Sequence, residues 1–281
     1  MYALVALGIV IIYSVTGIIN LAQGEYTMLG AMFAVTFYKW GSPLLLSFVA
    51  SVVVVVLIGM LIEQLTVKPV RSASPVTLII VTVGVSIIIR GVALLIWGAT
   101  PYSLPEFTPG APLALFGAIL SRQRIWIMGV TGLVLALLYY LLEHTLLGKA
   151  LRACAINRNA ASFMGVSPSQ MSLLSFALSA GLGAVAGIVI APLTLVSYNM
   201  GLMLGLKGFV AAVIGGLVSA PGAVIGGLAL GVIESLAAGL ISSGMKDAIA
   251  FLVLFVVLLW RAEEVTLRLR TLVRRQNEVV G

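Results

Sequence analysis

Apolar stretches close to the ~20 residues that a helix needs to cross a bilayer alternate with short polar breaks along the whole chain. They run roughly over 1–19, 21–38, 43–62, 76–97, 125–143, 171–192, 204–219, 222–241 and 247–260. The pattern predicts an all-α polytopic membrane protein with about eight or nine transmembrane helices. The first two stretches are contiguous. They read either as two spans or as one span and a re-entrant piece.

Composition narrows the solvent. Of 281 residues, 61% are hydrophobic and 9% charged, and the mean hydropathy is +1.20. A soluble domain carries about 25% charged residues, so a water-facing surface could not be dressed from this supply. The single Cys154 excludes an internal disulfide framework and a multi-cysteine metal site, and with the single His144 zinc or haem chemistry is not expected. The formal charge is +7, but the basic residues fall in short polar segments. That pattern sets membrane topology, whereas nucleic-acid binding would need a folded basic surface. The first apolar run has no basic leader and flows into more membrane sequence, so no cleavable signal peptide is expected.

Orientation follows from Lys68 and Arg71 in "EQLTVKPVRSASP", from Lys149, Arg152 and Arg158 in "HTLLGKALRACAINRNAASFMGVSPSQ", and from Arg261, Arg268, Arg270, Arg274 and Arg275 in the tail. All three segments belong on the cytoplasmic side. The Pro- and Gly-rich loop 98–124 is then external, although it carries Arg122 and Arg124. The division is a transmembrane domain over 1–262, with a cytoplasmic segment at about 148–169, followed by a basic cytoplasmic tail over 263–281. That tail would rest on anionic headgroups at about 1 kcal/mol per Arg.

Small and polar positions carry the remaining signal. Gly183/Gly187, Gly222/Gly226 and Gly227/Gly231 have the four-residue spacing that lets membrane helices approach closely. The spacing suits tight packing and, equally, helices that slide or rock. Glu25, Arg90 and Glu234 sit inside apolar runs, and Lys207 lies near the start of one. A charge at a helix centre costs about 2.5–3.5 kcal/mol even on lenient scales, so each should face another helix or a water-filled path. Lys207 and Arg90 are the candidate partners of Glu234, and Arg90 could snorkel outward past Trp97. In "INLAQGEYTML", Asn20, Gln23, Gly24 and Glu25 together interrupt a helix. Such a break is tolerated where the backbone lines a cavity, and a wetted interfacial turn is the alternative.

No catalytic constellation is visible, and there is no G-x-x-x-x-G-K-[ST] phosphate loop. Cofactors and metals are not expected. The segment from Gly148 to Ser169 reads as a short amphipathic helix lying along the cytoplasmic face, either a docking element for a partner or a solvated connector.

Its residues bring a resemblance. "NAASFMG" (159–165) is similar to the EAA-x3-G coupling signature of ABC importer membrane subunits, with Asn159 in place of Glu and Ser175 where the longer signature has Ile. Together with "INLAQGEYTMLGA" (18–31), "KPVR" (68–71), "GKALRACAINRNAASFMGV" (148–166) and "LKGFVAAVIGGLVSAPGAVIGGLALGVIE" (206–234), it resembles the first-type permease of high-affinity branched-chain amino acid ABC importers. The likeness covers nearly the whole chain. Members of that family carry a further stretch ahead of "YALVALG", so Met1 is expected to fall within a helix.

The resemblance implies an ABC importer permease fold with a cytoplasmic coupling helix, in the bacterial inner membrane. The implied partners are a second permease (paralogue or second copy), two cytoplasmic subunits that consume ATP, and an extracytoplasmic substrate-binding protein. It places a translocation path or gate at Asn20, Gln23, Gly24, Glu25, Lys207 and Glu234, and ATPase coupling at Arg152, Asn157, Asn159, Ala160, Ala161 and Gly165. Permeases for urea, short amides or ribose-type sugars are alternatives within the superfamily. A stand-alone secondary transporter is the alternative outside it.

Overall fold

The computed structural model describes residues 1–259 apart from 72, 116, 117 and 241. The basic tail predicted over 263–281 lies outside the described residues. Each of the nine apolar stretches is a helix: α1 (Tyr2–Thr16), α2 (Gln23–Lys39), α3 (Leu44–Ile62), α4 (Pro75–Trp97), α5 (Arg122–His144), α8 (Pro168–Ile190), α9 (Met200–Gly215), α10 (Ala220–Leu240) and α11 (246–259). Between α5 and α8 lie two short helices, α6 (Leu146–Ile156) and α7 (Arg158–Phe163). α3 runs on through one wider π-helical turn, Glu63–Val67.

Burial divides the helices in two. α1 and α2 are apolar or small on nearly every face and are buried on nearly every face. α8 lies against α1, α2 and α3, while α9 and α10 close over α1. By contrast α3, α4, α5 and α10 each show one face of Leu, Ile and Val to the outside, among them Leu45, Leu95 and Leu228. An exterior of that make-up has no water-soluble counterpart and matches a hydrocarbon solvent. Among the described residues five helices, α3 with its extension, α4, α5, α8 and α10, are long and apolar enough to cross a membrane unaided, and α1 and α9 are shorter apolar helices.

The two basic segments meet at one end of the bundle. Arg71 ties to Glu63 at 3.0 Å, and Ser172, in the second turn of α8, donates to the same carboxylate oxygen at 2.8 Å. Val15 at the end of α1 packs with Leu151 and Cys154 of α6, Ala161 of α7 and Met171 of α8. A cleft on this side joins Ser14 and Val15 to Arg152 and to the α9–α10 turn at Val218–Pro221. Lys68, Arg71, Lys149, Arg152 and Arg158 therefore share one end. At the opposite end, the start of the loop after α4 meets the loop after α8: Tyr102 and Val196 exchange two backbone hydrogen bonds, and Gln123 donates to the Val189 carbonyl.

Two local features differ from the expectations. The segment 148–169 is two helices rather than one, because the Asn157 side chain accepts from the Ala160 amide and opens a new helix there. The loop after α4 holds a small antiparallel hairpin, β1 (Leu113–Leu115) with β2 (Ala118–Leu120), in a stretch whose Pro and Gly content suggested loop alone.

Candidate functional site

The α1–α2 break is built from the inside of the protein. Gly17, with φ 72°, ends α1 in the left-handed conformation that glycine adopts without a side-chain clash. Thr16 donates to the Ile12 carbonyl and accepts from the Ile18 amide. The Asn20 carboxamide oxygen then accepts from the Ala22 amide at 3.1 Å, an Asx-type turn that substitutes for helical bonding. From α4, the Thr82 hydroxyl accepts from the Leu21 amide and lies 3.3 Å from the Ile19 carbonyl. The freed backbone of 17–22 is thus met by protein groups, as burial requires. Asn20, Gln23 and Glu25 are all buried. The wetted interfacial turn is not the arrangement found.

α2 starts deep in the bundle. Gln23 donates to the Ser179 carbonyl at 3.0 Å and accepts from the Ser179 hydroxyl. Ser179 is eleven residues from either end of α8, and Ser86 is eleven residues from either end of α4. Ser86 donates to Glu25 Oε1 at 2.7 Å. Both serines therefore fall half-way along helices of about 34 Å, and the first turn of α2 is pinned between them. Gly24 makes this possible, because a side chain there would overlap the backbone of Gly201 and Gly205 in α9. Gly187 does the same for α8, where the Thr27 backbone occupies the space of a Cβ.

Glu25 has a cation that the sequence reading did not assign to it. Arg90 Nε stands 3.3 Å from Glu25 Oε1 and 3.5 Å from the Ser86 carbonyl, one turn back along α4. Its side chain reaches towards the middle of the span rather than snorkelling past Trp97. Four buried polar atoms in this short stretch have no partner among the described residues: Asn20 Nδ2, Glu25 Oε2, Tyr26 Oη and Thr27 Oγ1. Each such atom costs about 1–3 kcal/mol, and their concentration in one stretch marks it as the least satisfied part of an otherwise close-packed core.

A second ionic cluster lies between α9, α10 and α11. Lys207 Nζ is 2.6 Å from Glu234 Oε1 and 2.6 Å from Asp247 Oδ1. The Lys207–Glu234 pairing is as the sequence suggests. Asp247, 50% exposed beyond the end of α10, gave no signal because it stands at the very first position of an apolar run, where a charge is ordinary. Glu63 is a further buried acid that the sequence reading left in a polar segment, and its Arg71 partner eight residues on is the one local clue.

On the α6–α7 element, Asn159 and Ala160 face outward, Ala161 packs inward, and Gly165 turns the chain at φ 84°. Arg152 pairs with Glu143 at 2.7 Å, and Asn157 is the α7 cap. At the α6–α7 junction and the end of α7, Ile156, Phe163 and Met164 are 85–89% exposed, apolar positions that no sequence pattern singled out. Burial raises the Cys154 thiol above its ordinary pKa, with the Arg158 charge acting in the opposite direction. The described residues contain no cluster of potential metal ligands.

Comparison with known proteins decides what this architecture belongs to. The profile described as "Branched-chain amino acid transport system / permease component" matches residues 1–258. The chain belongs to this permease family. It is 33% identical over 274 residues to the high-affinity branched-chain amino acid transport system permease protein BraD of Pseudomonas aeruginosa, covering 92% of this chain and 89% of BraD. The LivH permease of Escherichia coli K12, named for the same kind of system, is also 33% identical, over 92% of this chain and 88% of LivH. The ribose import permease RbsC of the same organism is 28% identical over 59% of this chain. No solved structure matches significantly. The all-α polytopic fold is the one expected of a permease component.

Proposed function

We propose that this chain is the membrane subunit of an ATP-driven importer of branched-chain or closely related amino acids. In this reading it forms the path with a second permease and receives substrate from an extracytoplasmic binding protein. The end-to-end likeness to BraD and LivH supports the substrate class, whereas the likeness to RbsC spans little more than half of the chain. The observation that carries the ATP-driven reading is the α6–α7 element. Ile156, Phe163 and Met164 stand out from a basic end of the bundle, and a protein partner would bury them. One of the two cytoplasmic ATPases docks there, the other on the second permease. The basic end, and with it the tail, is cytoplasmic.

Asn20, Gln23, Gly24 and Glu25 brace the path rather than surface it, since all four are buried between α4, α8 and α9. Lys207 and Glu234 hold α9 to α10 beside them. The unpartnered atoms of the break supply hydrogen-bonding capacity for a second arrangement.

Reconstitution of the chain with its second permease, ATPases and binding protein should give leucine uptake that requires ATP. Full-speed uptake by the chain alone without nucleotide would refute the reading. Ala160→Cys should crosslink to the ATPase, and Gly165→Glu should leave ATP hydrolysis running without uptake. Failure of both removes the docking assignment. Unchanged uptake in Glu25→Gln and Glu25→Ala would demote the break to a structural turn.

A further inference from the structure

Arg90 uses one nitrogen of its guanidinium. Nε faces Glu25 Oε1 and the Ser86 carbonyl, while the two Nη groups have no partner among the described residues. The side chain is 25% exposed, and it is held near the midpoint of α4, where the surroundings of the bundle are hydrocarbon. A cation presented to lipid at that depth is strongly disfavoured, and here its partner holds it away from the membrane surface. The face of α4 that carries it therefore meets water or protein.

The same face has a definite chemistry. Val83, Ile87, Arg90 and Leu94 follow at intervals of four, three and four residues, which places them in one stripe along the helix. Val83, Ile87 and Leu94 are exposed. Gly84 and Gly91 flank the stripe with open space where a side chain would begin. A free guanidinium fork is shaped for two parallel hydrogen bonds to a carboxylate, and the stripe around it is aliphatic.

We infer that this stripe of α4 lines the translocation path, and that the Nη fork of Arg90 is a passing contact for the carboxylate of the amino acid. The aliphatic side chain of the solute slides along Val83, Ile87 and Leu94. Glu25 keeps the fork aimed and offsets its charge, so the contact orients the solute without trapping it. The inference rests on the importer reading and adds to it the helix that the substrate touches.

The test uses the assembled complex with its ATPases and binding protein, in a Cys154→Ala background that leaves this chain no thiol but the introduced one, and compares it with the same complex lacking the introduced cysteine. Val83→Cys and Ile87→Cys are exposed to an anionic and a cationic methanethiosulfonate reagent while ATP is cycling. Both cysteines should react, modification should stop uptake, and the anionic reagent should be favoured. Replacing both members, as Glu25→Gln with Arg90→Gln, strands no charge but removes the less buried cation that the reagent meets first, and should shift the anionic-to-cationic ratio by about fivefold towards the cation, the size expected of a charge at short range in a wet path. Cysteines that react only with a membrane-permeant maleimide would overturn the inference, because the stripe would then face lipid or the second permease. An unshifted ratio would overturn it too, since Arg90 would not govern that face. ATP-dependent uptake by the unlabelled complex separates the two levels. If uptake occurs and the stripe is silent, only the inference falls; if uptake is absent, the importer reading falls first.

Discussion

Replacing Lys207 with Met is the perturbation whose cost the structure defines best. Lys207 stands between two carboxylates at 2.6 Å each, but the two are not equal. Glu234 is nearly as buried as the lysine, whereas Asp247 is half-exposed. Removing one member of a buried pair leaves the other charge uncompensated and costs about 3–5 kcal/mol, while a contact to a half-exposed carboxylate contributes about 0–1 kcal/mol. The expected order of damage is therefore Lys207→Met, then Glu234→Gln, then Asp247→Asn. For a chain of this size each kcal/mol moves the melting midpoint by about 2–4 °C, so Lys207→Met should lower it by roughly 6–20 °C and Asp247→Asn by no more than about 4 °C. The decisive comparison is the double variant Lys207→Met with Glu234→Gln. It removes the stranded charge and should recover most of the loss, read as the thermal midpoint of the detergent-purified complex. If the double variant melts no higher than Lys207→Met alone, or if Asp247→Asn is as damaging, then the cluster is not held together by a buried pair.

Gly187→Val should lower both the yield of folded protein and its melting midpoint. The new side chain meets the Thr27 backbone, which cannot rotate aside, and overpacking of this kind costs at least about 1–3 kcal/mol; purified yield and melting midpoint report it. Asn157→Ala should loosen α7 by about 1 kcal/mol through loss of its cap, while Asn157→Asp should not. Faster amide exchange at Ala160 in the first variant only is the expected result. The Cys154 thiol is buried with its pKa raised, so its reactive thiolate is scarcer than in a free cysteine at any pH near neutrality. Alkylation of the native protein should be slower than after denaturation, and should keep rising with pH beyond the ordinary thiol range.

Hydropathy carried most of the architecture because, in hydrocarbon, every span must satisfy its own backbone and so must be a helix. The nine apolar helices among the described residues were legible on that ground. Polar groups inside spans were legible for the same reason, since Lys207 and Glu234 each needed a partner and few were on offer. What escaped depends on distances along the chain that no local pattern spans. Glu25 and Arg90 are 65 positions apart, and only the packing of α2 on α4 brings them together. Asp247 and Glu63 lie at the margins of apolar runs, where a charge raises no question. The α6–α7 break turns on whether Asn157 continues a polar helix or caps a new one, and its composition suits both. The hairpin at 113–120 follows a stretch rich in Pro and Gly that signals a loop whether or not two short strands pair within it.

The two ionic clusters explain why Arg90, and not Lys207, is the cation that can meet a passing solute. Lys207 is closed: its ammonium is taken by two carboxylates at 2.6 Å and it is buried. A solute carboxylate would have to displace one of them and pay for stranding it. Arg90 is open: one nitrogen holds the partner, at the longer distance of 3.3 Å, and its side chain is 25% exposed. A guanidinium has five N–H donors, and only the one on Nε is engaged here, so a second carboxylate adds contacts without breaking the first. The acids differ in the same sense. Glu234 and Asp247 share one cation, whereas Glu25 leaves Oε2 unpartnered among the described residues. Charge count, burial and donor geometry therefore separate a structural tie from a node with capacity to spare, and that node is the one beside the helix break.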